Sequence, residues 1–142
     1  MTLLRSIRRL TAGERRLVVE SVVGLTISTI LVRFWQFRRL AARLGRHMVE
    51  SPTEQDQRAR AVARQVGWAI GATARRLPWH PVCLPQALTA QWMLRRRGVP
   101  STLYLGVSPT AQYDAHAWVR AGVLVVSGGP VRPEFVVVAS FA

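Results

Sequence analysis

Hydrophobic positions in the first third of the chain recur at helical spacing. Thr11-Ala-Gly-Glu14 has the form of a capping box, in which a hydroxyl and a carboxylate three residues on each satisfy a free backbone amide. Behind it Leu17, Val18, Val22, Leu25, Ile30, Leu31, Phe34 and Phe37 put apolar side chains around most of the helix circumference. Gly24 and the β-branched cluster Thr26–Ile30 predict a break or kink, so a helical pair is expected. Arg38, Arg39, Arg43 and Arg46 suit its C-terminal, electronegative end. Ser51-Pro52-Thr53-Glu54 predicts the next start, with serine as N-cap, proline at the first helical position and glutamate at the third. That helix should run to about Leu77 and bury Val62, Val66, Ile70, Thr73 and Leu77.

Pro78 and Pro81 impose a short extended segment, Pro78–Val82. A third helix fits Cys83–Arg97, with Pro85 tolerated in its first turn and Leu88, Trp92 and Leu94 turned inward. Arg95, Arg96 and Arg97 are expected as its solvated end, and Gly98 as its left-handed stop. The period then changes. Thr102–Val107, Ala115–Arg120, Val123–Ser127 and Phe135–Ala139 are β-rich runs between turn residues, and Arg120-Ala-Gly-Val123 has the form of a tight hairpin. Helices first and antiparallel strands second describe an α+β fold. The expected division is a helical region over 1–50 and a core over 51–142, within a single domain.

A chain of 142 residues, 49% hydrophobic and 19% charged, has one domain's worth of core and too much apolar content for wholesale disorder. One cysteine excludes an internal disulfide. The first residues, MTLLRSIRRL, already carry arginines and do not form a secretory leader, so a cytoplasmic protein is expected. All 20 basic residues are arginine, set against 7 acidic ones, a formal charge of +13. Such a charge attracts nucleic acid, an anionic membrane surface or an acidic peptide without choosing among them. The arginines follow no RNP, helix-turn-helix or zinc pattern, which argues against nucleic acid. The longest uncharged run, Ser21–Val32, falls short of the roughly 20 residues of a span. Peripheral membrane contact through that run and its flanking arginines is the alternative.

Candidate chemistry concentrates at Cys83 and His116. Cys83 opens a predicted helix, whose positive dipole end favours a thiolate, the nucleophilic form. His116 follows on a predicted strand in Asp114-Ala-His-Ala-Trp118. A cysteine at a helix N-terminus facing a histidine on a strand is an arrangement for thiol catalysis. The plainer reading is a buried small hydrophobe and an ordinary polar histidine. A metal site built from Cys83, His47, His80 and His116 lacks the paired spacing of a zinc module, so no metal and no cofactor are expected.

The segment Leu77-Pro-Trp-His-Pro-Val-Cys-Leu-Pro-Gln-Ala-Leu, followed by Leu94-Arg-Arg-Arg-Gly-Val-Pro, Leu105-Gly-Val and Ala115-His-Ala-Trp-Val119, resembles the lasso-peptide leader peptidases. These are transglutaminase-like cysteine proteases. The resemblance covers about Arg75–Val126, and the N-terminal helices only in general character. It implies a papain- or transglutaminase-like core, a catalytic helix plus antiparallel sheet, with the N-terminal helices packed on it. It also implies removal of the leader from a ribosomally made precursor peptide. A separate leader-binding module would present the precursor, this chain being the stand-alone peptidase. An asparagine-synthetase-like cyclase would then close the freed amine onto an acidic side chain.

In that reading Cys83 attacks the scissile carbonyl and His116 moves the proton. The Cys83 amide, helped by Trp79 or Gln86, holds the oxyanion, and Trp79 and Trp118 wall the cleft. Relatives usually carry an aspartate about a dozen residues after the histidine. Here that place reads Val126-Ser127-Gly128-Gly129. The third position is open among Ser127, a backbone carbonyl and Asp114, which shares a strand face with His116 but is badly placed for its far nitrogen. The alternative is a non-catalytic scaffold of the maturation complex, against which the intact Cys83 and His116 argue.

Overall fold

The computed structural model describes residues 8–109 and 114–142. Helix α1 spans Ala12–Phe34 and opens on the expected capping box. The Thr11 amide donates to the Glu14 carboxylate at 2.7 Å, and the Glu14 amide donates to Thr11 Oγ1 at 3.2 Å. The helix does not break at Gly24. A Cβ there would stand 2.6 Å from Thr89 Cγ2, so Gly24 serves a close helix crossing and not a kink. Two serines of the same face reach across: Ser21 Oγ lies 2.7 Å from Thr73 Oγ1, and Ser28 Oγ 3.2 Å from Thr89 Oγ1. A short helix, α2, follows at Phe37–Ala41.

The second start comes later than the sequence pattern suggests. Helix α3 spans Gln57–Ala74, and its cap is Asp56, which accepts from the Ala59 amide at 2.7 Å. Ser51 is drawn elsewhere: its amide donates to Thr102 Oγ1 at 2.7 Å, tying the chain to the sheet before the helix begins. Helix α4 spans Cys83–Arg96 and stops before Gly98, whose φ is +67°. The stripe that enters the core is Ala87, Ala90, Met93 and Leu94, with Leu88 also buried. Trp92 falls outside this stripe and is exposed, with the Arg96 guanidinium 5.0 Å from its ring.

Nor is the end of α4 simply solvated. Arg97 donates twice to Glu20 of α1, at 2.8 and 2.7 Å, and Arg95 donates to the Leu44 carbonyl at 2.8 Å. The Arg97 hydrogen bond holds the Glu20 carboxyl below its ordinary range, against the opposing effect of burial.

Strands β1 (Thr102–Val107), β2 (Ala115–Ala121), β3 (Leu124–Ser127) and β4 (Val136–Phe141) form an antiparallel sheet ordered β3-β2-β1-β4. The hairpin between β2 and β3 turns at Gly122, where φ is +59°. Alternation along β2 sends Ala117, Val119 and Ala121 into the core beneath α4. β4 starts one residue later than the pattern predicts, because Phe135 leaves the strand to pack on His116. The fold is α+β, three packed helices and one short one beside a single antiparallel sheet among the described residues.

Candidate active site

The start of α4 is set by its sequence. Val82 caps it in an extended conformation, φ −78° and ψ −175°, and Pro85 sits in the first turn, where its missing N–H costs no bond. His80, just before Pro81, has φ +43°, an uncommon conformation for a side-chain-bearing residue and a tight bend into the helix. Cys83 is thus a free, half-buried thiol beside the unpaired first amides of a helix. Further along α4, Gln91 Nε2 donates to the Phe141 carbonyl at 2.9 Å, level with Leu103 and Val119 in the sheet. Gln86, in the first turn of α4, lines a cleft of about 460 Å³ together with Ser127 and Gly128.

His116 is the second residue of β2. With Trp118 and Arg120 it belongs to the sheet face opposite Ala117 and Val119. Its ring is stacked against Trp118, centroids 5.8 Å apart, and tilted against Phe135 at 5.3 Å. Trp118 in turn stacks on Tyr104 at 5.4 Å, and Arg120 Nε donates to the Tyr104 hydroxyl at 3.0 Å. The imidazole rests on a braced aromatic shelf. Its Nε2 is 2.6 Å from the Gly128 carbonyl oxygen. A carbonyl only accepts, so Nε2 carries the proton and Nδ1 of the neutral ring keeps its lone pair. Glycine is required at 128 for this. Its φ is +84°, and a Cβ would stand 2.5 Å from the Ala117 carbonyl and 2.9 Å from Trp118 Cβ.

Of the residues singled out in the sequence, some meet and others do not. His116 and Trp118 are in contact, and Gln86 and Ser127 share the cleft. Cys83 and His116 are not brought together: no hydrogen bond joins them, neither lines that cleft, and His116 belongs to the sheet face opposite the one that α4 covers. Ser127 is buried, and its Oγ has no partner among the described residues. Asp114 does not touch the ring; it receives Arg132 Nη2 at 2.9 Å. Gln86 uses one amide hydrogen on the Pro81 carbonyl at 2.7 Å, which fixes its side chain. Neither tryptophan expected to wall the cleft lines it: Trp79 is exposed, and Trp118 is buried beside His116. Among the described residues no group of three His, Cys, Asp or Glu side chains could hold a metal ion.

Sequence reasoning missed Phe135 and Arg132. Arg132 pairs with Asp114 and Glu134 and lies 5.0 Å over the Phe135 ring, closing the turn beside His116. The only signal was an aromatic residue next to a Pro-rich turn, which is too common to single out.

A family model described as the transglutaminase-like superfamily matches residues 29–140. The chain belongs to that superfamily. The matched span begins within α1, contains Cys83, His116 and Gly128, and covers the sheet up to the penultimate residue of β4. Neither the curated proteins nor the solved structures contain a match to this chain.

Proposed function

We infer that this transglutaminase-like protein is a cysteine peptidase that removes the leader from a lasso-peptide precursor. The observation that carries the reading is the imidazole whose Nε2 is committed to the Gly128 carbonyl, which leaves Nδ1 to serve as base, in a chain whose one cysteine opens a helix. Supporting it are the superfamily match and the resemblance of the Cys83 and His116 segments to leader peptidases.

In this reading His116 Nδ1 takes the Cys83 proton, and the thiolate adds to the carbonyl carbon at the leader–core junction. The oxyanion is met by the free amides of the first turn of α4. The C–N bond then breaks, His116 returns its proton to the leaving amine of the core, and the leader remains as a thioester. Water, deprotonated by the same nitrogen, hydrolyses the thioester and restores the thiol. The reading requires thiol and imidazole to meet in the peptide-bound enzyme. A leader-binding module presents the precursor, and an asparagine-synthetase-like cyclase uses the freed amine.

The test is reconstitution of precursor, leader-binding module and this protein in water labelled with oxygen-18. Hydrolysis predicts free core and a leader whose new carboxylate carries the label. Intact precursor, or unlabelled leader joined to an amine, would overturn the peptidase reading.

A further inference from the structure

One feature of α1 plays no part in the site. Val19, Val23, Ile27, Ile30 and Phe34 recur at helical spacing and are 61, 47, 50, 52 and 76% exposed. They form one uncharged stripe about 22 Å long at 1.5 Å per residue. Among the described residues nothing packs over it. The opposite face of the same helix is fully used, with Leu17, Val18, Ser21, Gly24, Leu25 and Ser28 buried.

We propose that this stripe lies on an anionic lipid surface, holding the protein at a membrane with α1 in the interfacial plane. Charge selects the occupant. Arg15 and Arg16 stand at one end of the stripe and Arg33 at the other, and the chain carries +13 overall. A second copy with the same charge is repelled, whereas acidic headgroups are attracted while the apolar side chains enter the acyl boundary. Trp35 and Phe37, both exposed, follow the stripe in sequence with aromatic rings that suit the headgroup level.

The helix is long and apolar enough to span a bilayer by length and composition, but its other contacts argue for lying flat. Glu20, inside it, is paired to Arg97, and Ser21 and Ser28 are bonded to α3 and α4. Spanning would strip these partners away. The proposal is independent of the reaction at Cys83.

The experiment is flotation of the full-length protein with phosphatidylcholine vesicles, with and without phosphatidylglycerol, for wild type and Ile27→Ser/Ile30→Ser/Phe34→Ser. Circular dichroism checks that both are folded. Wild type should float only with the anionic vesicles and release in about 1 M salt, where screening is nearly complete. The variant should lose at least about tenfold in bound fraction while retaining its helix content. Absence of flotation, equal binding by the folded variant, or binding that is indifferent to phosphatidylglycerol would overturn the proposal. A variant unfolded by circular dichroism is replaced by Ile27→Asn alone, read the same way. If the stripe variant instead loses the leader-binding protein in pull-down and vesicles are ignored, the face docks a protein and the lipid assignment is wrong.

Discussion

His116 Nε2 stands 2.6 Å from the carbonyl oxygen of Gly128, in the place where a carboxylate would be expected to orient the ring. A carbonyl fixes the tautomer as a carboxylate does, but brings no charge to stabilise an imidazolium. His116 should therefore be indispensable and no single acid should be. In the reconstituted cleavage assay, His116→Ala is expected to be inactive. Asp114→Asn should lose less than about a hundredfold, or roughly 2.7 kcal/mol of barrier. Equal inactivity of a folded Asp114→Asn would make Asp114 the third member.

Gly128→Ala tests the same bond from the other side. The left-handed φ of +84° and the 2.5 Å approach to the Ala117 carbonyl leave no room for a methyl group. The turn must shift and take the acceptor with it. We expect a loss of stability of about 1–2 kcal/mol from the backbone conformation alone. Activity should fall further, with kcat reduced more than KM is raised. A variant with native kcat would show that the Gly128 carbonyl does not position the ring.

Local signals were legible in the sequence wherever the chain's own neighbours decide the structure. The Thr11 capping box, the start of α4 at Cys83, the stop at Gly98 and strand β1 lie where the residues suggest. Distant partners decided the rest. Ser51 left its expected capping role for Thr102, fifty-one residues away, and Arg97 found Glu20 across the core. Gly24 reads as a breaker in isolation, and only the crossing at Thr89 gives its real use. At the candidate site, Cys83 and His116 are chemically conspicuous residue types. A backbone carbonyl is carried by every residue, so the choice of Gly128 had no sequence signature.

The Glu20–Arg97 pair gives stability a pH dependence. The folded pKa of Glu20 is depressed from its ordinary value of 4.5, chiefly by the Arg97 hydrogen bond. Its contribution is therefore complete above the unfolded pKa and is lost as pH falls through the lower, folded value. Glu20→Gln should cost about 1–3 kcal/mol at neutral pH, as for a hydrogen bond to a charged group. It should also flatten the fall in Tm between about pH 5 and pH 3. Identical acid-side curves for variant and wild type would contradict this.

Gly24→Val probes the helix crossing. A side chain at that point must displace Thr89 and the rim of Trp92, whose Cζ3 lies 3.3 Å from the Cβ position. Overpacking of this kind costs about 1–3 kcal/mol. Thermal unfolding should show a clear drop in Tm, and an unchanged Tm would mean that α1 does not pack this closely on α4.

The most direct test of the account is the mass spectrum of precursor incubated with the leader-binding module and either wild type or Cys83→Ala. The Cys83 side chain is half-buried, so its replacement by the smaller alanine should leave the fold intact. Leader and core should appear as separate masses with wild type, and only intact precursor with a folded Cys83→Ala. Full cleavage by that variant would contradict it.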